Sequence, residues 1–210
     1  MLKFLIADDH AVVREGLKQI LGEEFPQAMF GEAQDAQALL QQVREGSWDL
    51  LILDISLPGR SGLDALKDLK LLAPKLPILV LSIHPEEHYA VRALKAGASA
   101  YMTKDNPPEE LVKAVRKIMG GGKYVSPSLG EKLASDLGIE AEIPPHETLS
   151  DREFQVMLMI ASGKTVTKIA EELHLSPKTV STYRARILEK MRINTSAELT
   201  HYAFKNRLLE

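Results

Sequence analysis

KFLIADD at residues 3–9 and DLLILD at residues 49–54 decide the fold of this 210-residue chain. Each is a short, nearly continuous apolar run, the pattern of a strand buried on both faces of a parallel sheet. Each also ends in acid: Asp8 and Asp9 close the first run and Asp54 the second. Ligand sites of open parallel sheets lie just beyond the carboxyl ends of the strands, so three carboxylates are expected to share one pocket. Two unit charges about 4 Å apart repel by about 4 kcal/mol at an effective dielectric near 20. Such a cluster needs a cation or a raised pKa. An all-oxygen ligand set favours Mg2+ over zinc, and Mg2+ commonly bridges carboxylate to phosphate, so the expected chemistry is that of a phosphoryl group.

Working outward, FLIA, AMFG, LLILD, ILVLS and SAYM predict strands near 3–7, 28–33, 49–54, 77–82 and 99–102. Helical-period stretches lie between them, among them Val13, Leu17, Ile20 and Leu21, and a last helix is expected near 107–119. Five βα repeats predict an α/β fold, a doubly wound five-stranded parallel sheet with helices on both faces. Its rim would carry Asp8, Asp9, Asp54, Ser82 and, past the fifth strand, Lys104. GRSG after Asp54 reads as a turn, too short to cradle a phosphate. His10 and His84 fall near the rim but lack a second histidine at ligand spacing, so they read as surface or edge residues.

Gly120, Gly121 and Gly122 end the fifth helix. In YVSPSLGEKLASDLG, Ser126 stands as N-cap, Pro127 at the first helical position, and Leu129, Leu133 and Leu137 on one face, which predicts a short linker helix. GIEAEIPPHET follows as an acidic, proline-bearing tether. The expected organisation is therefore a first domain at 1–120, a linker at 121–148 and a second domain at 149–210.

From Leu149 the period is wholly helical. LSDREFQVMLMIASG opens with a Ser150/Glu153 capping box and places Phe154, Met157, Leu158 and Ala161 at core spacing. Met157, Met159 and Met191 read as core filler. VTKIAEELHLS and PKTVSTYRARILEKM come next, the latter with Ser176 as N-cap, Pro177 at N1, and Val180, Ile187, Leu188 and Met191 facing inward. A last helix is expected over Thr195 to Asn206. Two short helices with a Lys, Arg, Ser and Thr-rich outer face on the second describe a helix-turn-helix in an all-α domain of four helices.

Composition supports this reading by exclusion. The absence of cysteine removes disulfide scaffolds, thiolate metal sites and cysteine nucleophiles. No apolar run approaches the roughly 18 residues needed to span a bilayer, and MLKFLIADDH reaches acid before a signal-peptide core could form, so a cytoplasmic protein with no membrane partner is expected. The net charge of −3 conceals an asymmetry: residues 149–210 carry 10 Lys and Arg against 7 Asp and Glu, or +3, leaving −6 on the rest. A basic excess at one end suits a polyanion there.

IADDH, LDISLPGRSG, VLSIH, YMTKD and the tail from LSDREF to LEKM together resemble a two-component response regulator of the NarL/FixJ family, a CheY-like receiver followed by a LuxR-type helix-turn-helix. The resemblance covers nearly the whole chain. It implies Asp54 as phosphoacceptor from a sensor histidine kinase, with Mg2+ held by Asp8, Asp9, Asp54 and the backbone carbonyl of Ser56. It implies Lys104 as a charge on the phosphoryl oxygens, Ser82 as the hydroxyl that bonds them, and Tyr101 as the aromatic switch. Many receivers follow that lysine with proline, whereas Asp105 follows Lys104 here, so the shape of this loop departs from the pattern.

The same resemblance places Ser181, Thr182 and Ala185 at base-reading positions of double-stranded DNA. None is a long basic side chain, so arginine-to-guanine readout is not supplied there. Lys178, Thr179, Tyr183, Arg184 and Arg186 are then backbone contacts that set register. Phosphorylation is expected to drive homodimerisation and control transcription, in a switch and not an enzyme. Two other classes are weighed: an Mg2+-dependent phosphatase with an aspartyl-phosphate intermediate, disfavoured because DDH offers no DxD arrangement, and a protein-interaction module, which steep salt dependence of DNA binding would exclude.

Overall fold

The structure, a computed structural model, describes residues 1–57, 62–136 and 144–209. The chain divides into two compact units, Met1–Ile139 and Glu140–Glu210. In the first, β1 (Lys3–Ala7), β2 (Met29–Ala33), β3 (Leu50–Leu53), β4 (Ile78–Ser82) and β5 (Ala100–Thr103) alternate with α1 (Ala11–Glu24), α2 (Ala36–Glu45), α3 (Gly62–Leu72), α4 (Glu86–Lys95) and α5 (Pro108–Met119). All pairings are parallel in the order β2-β1-β3-β4-β5, the doubly wound sheet expected from the βα repeat. Strand ends differ from the expected ones by a residue, with β5 displaced one position toward the C-terminus.

β3 and β4 are buried at every position because helices cover both faces. Phe4, Ile6, Leu50, Ile52, Leu79, Leu81, Ala100 and Met102 form one core with Leu17 and Leu21 of α1 and Leu111, Ala114, Val115 and Ile118 of α5. Full burial of each large apolar chain contributes about 1.5–3 kcal/mol. Pro85 caps α4 and Glu86 is its first helical residue, so the helix begins one residue later than a proline at N1 would have it. Past α5, helix α6 (Pro127–Asp136) forms where the linker helix was expected, and Ser126 Oγ accepts the Leu129 N–H at 3.1 Å as its cap. Leu129 is buried and Leu133 half-buried, while Leu137 and all of GRSG except Gly62 lie outside the described residues.

The second unit holds a 3-10 turn at Pro145–Thr148 and helices α7 (Asp151–Ala161), α8 (Val166–Glu172), α9 (Pro177–Met191) and α10 (Ser196–Lys205). The Ser150/Glu153 capping box starts α7 and the Ser176 cap starts α9, both as expected. Two inward assignments need correction: Leu158 and Leu188 are only half-buried, and Val156 and Ile160 fill the α7 core with Phe154 and Met157. Met159, expected in the core, is also half-buried. The 3-10 turn, whose polarity places it in the tether, instead joins this unit through His146 Nδ1, 2.8 Å from the Tyr202 hydroxyl.

Candidate functional site

Sheet register assembles the rim. Ala7 pairs with Leu53, so the next residues, Asp8 and Asp54, emerge side by side. Their backbones are pinned there, Asp54 N–H donating to the Ala7 carbonyl at 2.8 Å and Asp8 N–H to the Ala33 carbonyl at 3.1 Å. Ser82 pairs with Thr103, and Lys104 N–H donates to the Ser82 carbonyl at 2.7 Å. Strand ends β1, β3, β4 and β5 thus deliver every expected rim residue to one edge of the sheet.

Lys104 binds the two buried acids together. Its Nζ lies 2.6 Å from Asp8 Oδ2 and 2.7 Å from Asp54 Oδ2, although the approach to Asp8 falls outside hydrogen-bond geometry. Asp8 and Asp54 are 1% and 2% exposed, so two anions sit out of water around one cation. Burial lifts the Asp54 carboxyl above its ordinary range against the opposing pull of Lys104. Burial also weakens the Lys104 ammonium, but the two carboxylates outweigh it and hold the lysine above its ordinary value. One lysine leaves the three-acid cluster short of neutral. Ligand atoms of Asp8, Asp9, His10 and Asp54 lie within 4.8 Å of one another, and the buried Ser56 Oγ has no hydrogen-bond partner. Asp54 Oδ1 accepts the Ser56 N–H at 2.8 Å, which keeps Ser56 beside the pocket. This donor set, chiefly hard oxygens, fits a small divalent cation.

His10 belongs to this pocket, although its surface reading also holds, since its side chain is 66% exposed. Its N–H and ring Nδ1 reach Asp8 Oδ1 at 2.8 and 3.3 Å, and Nδ1 is 2.7 Å from Asp9 Oδ1. Behind it Arg14 donates to the Asp8 carbonyl and to Glu32. No periodic signal marks either residue; only adjacence to the acid pair could have pointed to them.

Ser82 and Tyr101 form a second layer. Both are buried, and Ser82 Oγ accepts the His84 N–H at 3.0 Å while the Tyr101 hydroxyl donates to the His84 carbonyl at 2.9 Å. Burial raises the Tyr101 phenol, partly offset by a hydrogen bond with Ser82. The His84 ring stacks on Tyr89 of α4 at 4.8 Å. After Lys104, Asn106 Oδ1 accepts both the N–H and the hydroxyl of Thr103, at 2.9 and 2.8 Å. That double acceptor shapes the loop in which proline was missing.

In the second unit, α9 exposes Lys178, Ser181, Thr182, Arg184, Ala185 and Arg186, with Thr179 and Tyr183 half-buried. Ser181 and Thr182 hydroxyls donate to the carbonyls of Pro177 and Lys178, a back-bond that leaves their lone pairs outward. Arg184 Nε donates to Ser196 Oγ at 3.0 Å, and Lys190 pairs with Glu153 at 2.6 Å. These two basic side chains hold α9 to α10 and to α7.

Residues 4–116 match the response regulator receiver domain, and residues 147–203 match the bacterial regulatory proteins of the luxR family. The chain is 35% identical over 209 residues to the response regulator UvrY of Escherichia coli strain K12, covering 99% of this chain and 96% of that one. It is 36% identical over 211 residues to the response regulator GacA of Pseudomonas aeruginosa, covering 100% and 99%. Among solved structures, RcsB from Salmonella enterica serovar Typhimurium, bound to promoter rprA in the presence of phosphomimetic BeF3-, is similar at a TM-score of 0.65 and 27% identity over 96% of this chain and 98% of that one. No helix among the described residues is long and apolar enough to cross a membrane. With a receiver rim at one end and a helix-turn-helix at the other, the chain belongs to the NarL/FixJ family of two-component response regulators.

Proposed function

We propose that this response regulator is a cytoplasmic transcription factor that accepts a phosphoryl group on Asp54 from a histidine kinase and so switches its own dimerisation and DNA binding. The observation that carries this reading is the pair of buried acids, Asp8 and Asp54, bridged by Lys104 at the strand ends. The Asp54 carboxylate attacks phosphorus of the kinase phosphohistidine, the P–N bond breaks, and an aspartyl phosphate forms. Lys104 then transfers its charge from Asp54 Oδ2 to the phosphoryl oxygens, where a mobile ammonium suits changing geometry. Asp8, Asp9, Asp54 and the Ser56 carbonyl would hold Mg2+, which supplies charge neutralisation for the phosphoryl oxygens when bound.

The new phosphate carries about −1.5 to −2 charges and recruits the Ser82 hydroxyl as a donor. Tyr101, sharing His84 with Ser82, follows. The reading is of a switch and not of a turnover catalyst. Its parts are a receiver at 1–120, a linker that begins at 121, and an output domain of residues 149–210 joined by the 3-10 turn at Pro145–Thr148. The output domain binds double-stranded DNA as RcsB binds its promoter. Ser181, Thr182 and Ala185 would face base edges, and Lys178, Thr179, Tyr183, Arg184 and Arg186 the phosphates. Asp54→Asn tests the assignment, because an amide cannot act as the nucleophile. Incubated with acetyl phosphate and Mg2+, the wild-type chain gains the mass of one phosphoryl group and the variant gains none; an equal gain by both refutes Asp54 as the acceptor.

A further inference from the structure

The switch layer ends one residue short of a second contact. Pro85, whose ring fixes its backbone, joins His84 to Glu86, the first residue of α4. Glu86 Oε2 accepts the Ser126 hydroxyl at 2.7 Å and the Ser128 hydroxyl at 3.2 Å, and Ser126 Oγ also caps the linker helix α6. Leu129, on the first turn of α6, is 3% exposed, and α6 packs against α4. Tyr124, just upstream, is tied to α5 through Glu110 at 2.6 Å and to the loop before β5 through the Ser99 carbonyl at 3.0 Å. The start of the linker is therefore built onto the receiver, and two of its serine hydroxyls reach α4 at one carboxylate, that of Glu86.

We propose that Glu86, Ser126 and Ser128 form a clamp that docks the linker helix on the receiver and opens when Asp54 is phosphorylated. This rests on the function proposed above. Turning the Ser82 hydroxyl toward a phosphoryl group removes the acceptor of the His84 N–H. The His84 to Glu86 segment then shifts with the start of α4, because the Tyr101 hydroxyl on the His84 carbonyl and the His84 ring on Tyr89 carry the movement along. Glu86 leaves the geometry that two short serine side chains can follow. Ser126 then has only the Ser128 hydroxyl, 3.0 Å away, in place of a carboxylate, its cap on α6 weakens, and release of α6 lengthens the tether by the 10 residues of that helix. A longer tether lets two DNA-binding domains meet on adjoining half-sites.

Amide hydrogen exchange and DNA binding of the full chain, each with and without acetyl phosphate, test the clamp. In the wild type, phosphorylation should speed exchange at Leu129 and Gly130, whose N–H groups bond the Ser126 side chain and carbonyl. Glu86→Ala should show that fast exchange without phosphodonor and bind DNA about fivefold more tightly in the unphosphorylated state, the effect of losing one partly exposed carboxylate that accepts two hydroxyls. The phosphorylated-to-unphosphorylated affinity ratio should fall toward one. Glu86→Gln, which keeps an acceptor for Ser126, should restore most of the protection. The clamp is refuted if phosphorylation leaves exchange at Leu129 and Gly130 unchanged, if Glu86→Ala keeps the wild-type ratio, or if it abolishes DNA binding. A wild-type chain that gains no phosphoryl mass or binds no DNA refutes the proposed function instead.

Discussion

A methyl group added at Gly62 would stand 2.3 Å from Ile55 Cα and 2.7 Å from the Asp54 carbonyl oxygen. Both neighbours are backbone, so neither can rotate away, and one of them belongs to Asp54, the proposed phosphoacceptor. Overpacking of this kind costs about 1–3 kcal/mol. Gly62→Ala should therefore lower receiver stability by about 2 kcal/mol and slow phosphorylation; urea unfolding followed by Trp48, the sole tryptophan, measures the first. Unchanged stability would remove the steric argument. At this scale the sequence exposed the residues that sit at strand ends, Asp8, Asp9, Asp54, Ser82 and Lys104, because an apolar run that stops at acid marks its own terminus. It concealed Asn106, whose role depends on a turn conformation that no hydrophobic period records. Basic residues on α9 were legible as charges but not as partners: counting cannot tell that Arg184 and Lys190 reach Ser196 and Glu153 inside the unit.

Between elements, Glu153 joins α7 to α9. Its side chain is 4% exposed, accepts the Ser150 N–H at 2.8 Å and pairs with Lys190 at 2.6 Å. Burial by itself would raise this carboxyl, but Lys190 and Ser150 together hold it below its ordinary 4.5. A carboxyl depressed on folding gives stability that is complete above its unfolded value and lost as pH falls through the folded one. Amide exchange in α7 and α9 should thus accelerate as pH is lowered below about 4.5, after correction for intrinsic rates, and Glu153→Gln should flatten that acid limb. An identical limb in the variant would assign the pH response to other groups. The elements themselves were the most legible level, since the continuous apolar strand runs, the 3.6 period and the caps at Ser126, Ser150 and Ser176 agree. Leu158 and Leu188 misled because spacing defines a face about a helix without saying how far a small domain covers it.

For the molecule as a whole, the boundary of the second unit is set by an aromatic contact and not by composition. PPHET reads as tether because it is polar and proline-rich, yet the His146 ring lies between Phe154 and Tyr202, at 6.1 and 5.8 Å, and bonds the Tyr202 hydroxyl. Residues 144–210 should consequently fold alone and bind DNA without phosphodonor, with affinity falling steeply as salt rises. A fragment beginning at residue 149 lacks this turn and exposes part of Phe154. It should unfold at lower urea, less stable by about 1 kcal/mol, the worth of a typical hydrogen bond. His146→Ala in the longer fragment should reproduce most of that loss while leaving the salt slope of DNA binding intact, because His146 bonds α10 and lies outside the reading helix α9. Equal stability of the two fragments would return the turn to the tether, and a changed salt slope in His146→Ala would place this end of the domain on the DNA.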